Sequence, residues 1–206
     1  MSEVIKRCSW CGSDPLYIQY HDSQWGVPLH NDRALFEFLV LESFQAGLSW
    51  LTILRKRASF KAAFSDFNIQ KVARFNPSEI ERLMNDKGII RNCAKVLAAV
   101  TNARCCLEII EKHGSFGRYM WQFVNGKPII NMWESEDLIP SITDESEAMS
   151  RDMRSKGFKF IGPTICYAFM QATGMVNDHI TACFRHGQLR QLDTGCKPGL
   201  APTSAI

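Results

Sequence analysis

No stretch of this chain approaches the roughly 18 uninterrupted apolar residues that a membrane-spanning helix needs. The N-terminal segment M-S-E-V-I-K-R-C has no apolar run of the kind that opens a secretory signal. Together these absences predict a cytoplasmic protein. Alternating apolar and polar runs are missing, which argues against a sheet-based fold. No internal repeat occurs. Charge of one sign is scarce: 24 Lys and Arg against 21 Asp and Glu leave a net charge of +3. That is too little for a surface that grips a polyanion everywhere, although local basic patches can still hold phosphates. The paired C-x-x-C framework of a zinc ribbon is also absent. Eight cysteines in a chain without a leader read as thiols or metal ligands rather than disulfides. Cys93, Cys105, Cys106 and Cys166 lie in apolar helical contexts and read as buried, inert thiols.

What is present is helical punctuation. With 206 residues and 46% hydrophobic content, the chain suits one domain or two small lobes around a sizeable core. Asn31-Asp32 can cap a helix that begins at Arg33. Gly47 breaks the following apolar run, and a second helix reads from Ser49 to about Phe64, with Arg55, Lys56, Arg57 and Lys61 facing solvent. Asn76-Pro77 opens another helix, with proline just inside the start. Apolar residues at 96, 99, 100, 103, 107 and 110 carry a long helix over 92–113. Thr143-Asp144 starts a further helix that ends at Gly157. The predicted class is all-α, with residues 1–187 as a single catalytic unit and 188–206 as a flexible tail rich in Gly, Pro, Thr and Ser.

Residues 41–54, L-E-S-F-Q-A-G-L-S-W-L-T-I-L, place one carboxylate, Glu42, and one indole, Trp50, in an apolar run. An isolated charge there costs several kcal/mol to desolvate. Glu42 therefore either meets a cation, takes up a proton, or lies at a helix end that reaches water. Residues 151–173 form a helix, a glycine-containing turn and a second helix begun by Pro163. Arg151, Arg154, Lys156 and Lys159 face only Asp152 around that turn. Amides at a helix start beside cations hold anions, so Lys159, Gly162 and Thr164 are candidate contacts to a DNA phosphate; an ordinary helix pair with a solvated basic face is the alternative.

Two thiols and two imidazoles stand at opposite ends of the chain: Cys8 and His21, then His179 and Cys183 in N-D-H-I-T-A-C. The 179/183 spacing puts both side chains on one face of a helical turn. Such a set makes a closed tetrahedral Zn²⁺ site, structural because no position is left for activated water. Cys11, in C-S-W-C, is a rival ligand or a redox partner of Cys8. His30, His113 and His186 read as surface or capping residues.

Several long motifs accompany these residues: C-x-W near the start, D-P-L-Y-I-x-Y-H-D-x-x-W-G-V-P, L-F-E-x-L-x-L-E-x-x-Q-A-G-L-S-W, G-I-I-R, G-F-K-F-x-G-x-T-I-C-Y-x-F-M-Q-A and V-N-D-H. Together they resemble the 3-methyladenine-DNA glycosylase I family over about residues 7–183. The resemblance implies a helix-hairpin-helix glycosylase fold and a monofunctional N-glycosyl hydrolase that removes alkylated adenine from double-stranded DNA and leaves an abasic site. It places zinc ligands at Cys8, His21, His179 and Cys183, and the base pocket at Glu42, Trp50 and Tyr20, with Glu42 also the catalytic candidate. Nothing in the sequence points to a partner beyond DNA, and a monomer is assumed. Wider-superfamily relatives such as endonuclease III carry an aspartate in V-D-T-H. That aspartate falls on Asn177 here, with Asp178 one position off, so its role does not transfer. A non-catalytic DNA-binding module and a zinc hydrolase are the competing readings. The first gives no reason for a carboxylate in an apolar run, and the second needs an open metal position.

Overall fold

The computed structural model describes residues 5–193. Ten α-helices make up most of the described part: α1 Pro15–Ser23, α2 Asp32–Gln45, α3 Trp50–Ala63, α4 Ile69–Ala73, α5 Pro77–Asn85, α6 Cys93–His113, α7 Phe116–Trp121, α8 Asp144–Ser155, α9 Pro163–Ala172 and α10 Phe184–Asp193. The all-α expectation holds. Local chemistry sets most of the starts. Asn31, Ser49, Asn76, Asn92 and Thr143 each accept a backbone N–H from the first turn of the helix they precede, which removes one orphan donor per helix. Pro77 and Pro163 occupy first-turn positions where a missing N–H costs nothing.

Helix α2 is the centre of the fold. Every residue from Phe38 through Phe44 is buried, because α3, α6, α7 and α9 all pack around it. A helix enclosed on all sides has no polar face to give to water, so Glu42 is carried into the interior with its apolar neighbours. Helix α6 lies against α2 and also against α4 and α5. Helices α8 and α9 pack on each other and are joined by the 156–162 turn.

One short feature is added to the expected fold, and three expectations are corrected. Two-residue strands, Ile129–Ile130 (β1) and Val176–Asn177 (β2), pair in parallel; they are too short for any alternation to show in sequence. The tail does not begin at 188: α10 continues to Asp193 and buries Leu189, while residues 194–206 lie outside the described residues. Arg57 turns inward, with Nε 2.6 Å from Glu37 Oε1 and its guanidinium over the Phe38 ring. Cys93 is exposed at the first turn of α6 rather than buried, whereas Cys105, Cys106 and Cys166 are buried. No helix among the described residues is long and apolar enough to cross a membrane.

Candidate active site

A cavity of about 410 Å³ opens beside α2 and is lined by Glu42 and Gln45 of α2, Trp50 of α3, Tyr17 and Tyr20 of α1, and Ala168 and Gln171 of α9, with Trp10, Trp25 and the 136–141 segment completing the wall. Its size lies in the usual range for small-molecule sites, about 300–1,000 Å³. Three of the predicted site residues meet here. The rings of Tyr20 and Trp50 lie 5.5 Å apart at 51°, and Phe38 stacks 6.4 Å from Trp50. Trp10 packs edge-on to Trp25 at 4.9 Å. The wall is therefore mostly aromatic faces.

Glu42 is the chemical anomaly. It is 3% exposed, and its Oε2 is buried with no hydrogen-bond partner, as is Trp50 Nε1. Among the described residues no cation pairs with it: Arg57 of α3 is held by Glu37 and Gln24. Burial alone pushes the Glu42 carboxyl up to about 8. Burial, and then the Glu42 charge, holds the Tyr20 hydroxyl well above its ordinary value. A buried acid without donors is costly and becomes favourable once a cation or an N–H donor meets it.

The turn between α2 and α3 places these groups. Ser49 caps α3. The buried Lys95 ammonium of α6 donates to the carbonyls of Phe44 at 3.0 Å and Ala46 at 2.7 Å, satisfying orphan acceptors at the end of α2. Gly47 takes φ +84°, a left-handed conformation that suits glycine.

The four predicted metal ligands also converge. Cys8 precedes a 3₁₀ turn, His21 sits near the end of α1, and His179 and Cys183 flank a turn between β2 and α10. This last pair is not on a helix: Cys183 N–H donates to Ile180 O at 2.8 Å in a tight turn, and α10 begins one residue later. All four side chains are buried, and their donor atoms lie within 4.8 Å of one another. Cys8 Sγ and Cys183 Sγ each lie 3.5 Å from His179 Nδ1, and Cys183 Sγ lies 3.5 Å from His21 Nε2. A tetrahedral zinc ion with the usual Zn–S and Zn–N lengths has S···N edges of about 3.5 Å, so the donor set fits such an ion. The remaining ring nitrogens are held from outside: His21 Nδ1 lies 2.7 Å from Asp22 Oδ1, itself gripped by Arg7, and His179 Nε2 lies 3.2 Å from Trp25 O. These bonds orient the rings so that Nε2 of His21 and Nδ1 of His179 face the thiols. Hydrogen bonds from Cys8 and both imidazoles drive the Cys183 thiol down, whereas the bond to Cys183, together with burial, drives Cys8 up. Gly26 makes room: with φ +77°, a Cβ there would stand 3.3 Å from His179 and 2.9 Å from Leu189. Cys11 is not in the set, because its Sγ donates to Cys8 O at 3.1 Å.

The α8–α9 turn is rigidly held. Asn102 of α6 accepts from Lys159 N–H at 2.7 Å and donates to Lys159 O at 3.0 Å. Ser150 donates to Ile161 O at 2.7 Å and Ser43 to Phe160 O at 3.2 Å. The Lys159 side chain and Thr164 are exposed, and Gly162 caps α9 with no side chain over its amides. The basic face is smaller than the sequence suggests: Lys156 pairs with Asp152 at 2.6 Å and Arg151 with Glu147 at 3.1 Å. Of the other expectations, His186 proves buried, with Nε2 2.8 Å from Asn131 O. His30 stacks on Trp121 in a separate hollow of about 750 Å³. Lys112, His113 and Arg118 line that larger hollow and no carboxylate does, so it does not suit a cationic ligand.

Sequence reasoning missed Trp10, Tyr17, Trp25, Gln45 and Gln171. All five fall on letters of the quoted motifs, and that was their only signal.

Comparison with known proteins shows the family. The methyladenine glycosylase family model matches residues 10–186. DNA-3-methyladenine glycosylase 1 of Escherichia coli (strain K12) is 45% identical over 179 residues, covering 87% of this chain and 96% of that protein. A crystal structure of 3-methyladenine DNA glycosylase I superimposes with a TM-score of 0.84 at 48% identity, covering 87% of this chain and 98% of the other. A tyrosine-to-phenylalanine variant of 3-methyladenine DNA glycosylase I, crystallised in complex with 3-methyladenine, matches with a TM-score of 0.84 at 39% identity, covering 86% of this chain and 96% of its own. The chain belongs to the methyladenine glycosylase family.

Proposed function

We propose that this protein hydrolyses the N-glycosidic bond of 3-methyladenine in double-stranded DNA, acting as a cytoplasmic monomer. The observation that carries the reading is the partnerless Glu42 carboxyl in an aromatic cavity. Methylation at N3 makes the base cationic and weakens its bond to the sugar. Once the nucleotide leaves the stack, the base finds in Glu42 an acceptor for its amino hydrogens and a counter-charge. At about 4 Å and an effective dielectric of about 20, the attraction is on the order of 4 kcal/mol before desolvation is subtracted. Trp50 offers its π face to the cation, worth about 0.5–2 kcal/mol, and Tyr20 adds stacking. Neutral adenine gains less from each contact, and selectivity is that difference.

The chemical step needs little help, because the leaving group is already activated. Water adds to the sugar C1′ and loses a proton to solvent, the C1′–N9 bond breaks, and its electron pair neutralises the departing base. Glu42 contributes by holding the base in the extruded geometry, and in its ionised form it can orient the water. Lys159, with the α9 amides at Gly162 and Thr164, takes a backbone phosphate and positions the duplex without reading sequence. Cys8, His21, His179 and Cys183 hold a zinc ion that ties the two ends of the chain together and takes no part in the reaction. A DNA-binding module without catalysis leaves the buried acid unexplained.

The test is release of free 3-methyladenine from methylated DNA by the purified protein, with Glu42→Gln alongside. Excision by the parent and a loss of about tenfold or more in the variant are expected. Near-normal turnover by the variant rejects the role of Glu42, and no release by the parent rejects the function.

A further inference from the structure

Asp178 neighbours the metal cluster in sequence but does something else in space. It is 1% exposed and accepts four hydrogen bonds: from Asn131 Nδ2 at 2.7 Å and Trp133 Nε1 at 2.8 Å on one oxygen, and from Tyr167 OH at 2.6 Å and Gln171 Nε2 at 2.9 Å on the other. With every lone-pair direction taken by a donor, Asp178 has no free oxygen to offer a substrate. It cannot act as a base while these contacts stand. What it can do is fix the four groups that donate to it.

Asn131 and Trp133 are half-buried and Tyr167 is buried. The fourth, Gln171, lines the base cavity. Glutamine presents a donor on one side of its amide and an acceptor on the other. Because its Nε2 faces a carboxylate, its Oε1 must face away. Turning the amide over would set Oε1 against Asp178 Oδ2, two acceptors in contact. Among the described residues no donor reaches Gln171 Oε1, and it is not enclosed by protein. Gln171 is one of the residues lining the cavity beside Glu42, which is the opening that oxygen can face.

From this geometry we infer that Gln171 is a second recognition residue of the base pocket, a neutral acceptor for the exocyclic amino group of the extruded purine, locked in its accepting orientation by Asp178. The inference rests on the base-pocket reading above. The amino group carries two N–H donors, and one carboxylate satisfies one direction of approach. A fixed amide oxygen supplies another acceptor without a second negative charge. It also discriminates: a purine bearing a carbonyl at the same position would set oxygen against oxygen and leave a buried polar clash. Asp178 is then a positioning residue, acting through Gln171 and not on the substrate.

The experiment measures binding of two free bases by quenching of the pocket tryptophans: 3-methyladenine, and 3-methylpurine, which lacks the amino group. Parent, Gln171→Leu, Asp178→Asn and Glu42→Gln are compared at matched melting behaviour; Gln171→Met, closer in length, replaces the leucine variant if that one fails to fold. Gln171→Leu is expected to lose about five- to tenfold affinity for 3-methyladenine and none for 3-methylpurine. Asp178→Asn is expected to reproduce this pattern, because an amide at 178 lets Gln171 turn over, and to add nothing in the Gln171→Leu background. Equal losses on both bases, or parent-like binding of both by the Gln171 variants, overturn the inference. If Glu42→Gln weakens 3-methyladenine while the Gln171 variants do not, this inference fails and the pocket reading stands. If neither changes binding, both fail.

Discussion

Replacing Glu42 by glutamine should make the free protein more stable at high pH. The side chain is 3% exposed, has no donor on its buried oxygen, and carries a carboxyl raised from 4.5 to about 8 by burial. A value higher in the folded state than in the unfolded one means that the folded protein holds the proton more tightly. The associated stability is complete below about pH 4.5, declines as pH rises, and is lost once pH passes 8. Between pH 5 and pH 9 the linkage relation gives a loss on the order of 4 kcal/mol. Glutamine keeps the shape and cannot ionise. Because every other titrating group, including the thiols and imidazoles of the metal cluster, is common to both proteins, the difference between the two curves isolates Glu42. Urea denaturation at pH 5, 7 and 9 measures it. The variant should gain on the parent steadily across that range. Parallel curves, within about 1 kcal/mol, would mean that the carboxyl ionises freely in solvent and would refute the buried-acid argument. The same proton bears on recognition. A permanently cationic lesion needs the carboxylate, so its binding by the parent should strengthen about tenfold per unit as pH rises toward 8, then level off. Glu42→Gln should show no such rise.

Other perturbations address the remaining parts. Trp50→Ala removes the π face and should weaken binding of lesion-bearing DNA by about 2- to 30-fold, the range expected of a cation–π contact, while binding to undamaged duplex stays near the parent level; equal losses on both would indicate a folding defect. Structural zinc contributes several kcal/mol to folding, and a chain of this size shifts by roughly 2–4 °C per kcal/mol. Cys183→Ser should therefore lower the melting temperature by about 10 °C or more and abolish a one-to-one zinc content in elemental analysis; unchanged zinc content counts against the four-ligand set. Lys159→Ala should reduce the slope of log affinity against log salt by about 1 on damaged and undamaged duplex alike, with no effect on binding of the free base. An unchanged slope removes Lys159 from the phosphate contact.

Much of the helical framework could be read from local chemistry. Asn31, Ser49, Asn92 and Thr143 cap the helices that the sequence predicts after them, because a cap acts over three residues and needs no distant partner. The ligand set was legible for a related reason: thiols and imidazoles are few, and their chemistry narrows their use. Longer-range facts were not legible. The 179/183 spacing read as a helical turn, yet the segment is a tight turn before α10, since a four-residue spacing fits either. Arg151 and Lys156 read as free cations, yet each finds a carboxylate one helical turn away. Gln171 carried only its place in the M-Q-A of a quoted motif. It is one polar residue at the end of an apolar helix, and its orientation exists only because Asp178, seven residues on, folds back against it.

By itself the sequence determined the helical class, most helix starts, the Cys/His set that could hold a metal and the family resemblance, all of which depend on residue type and motif. Only the tertiary structure decided whether Glu42 reaches water. An acid in an apolar run can lie at a wet helix end or in a dry cavity, and the local residues are the same in both. Four helices closing around α2 bury that carboxyl and leave it without a donor, and this enclosure is what makes an odd residue a candidate recognition site.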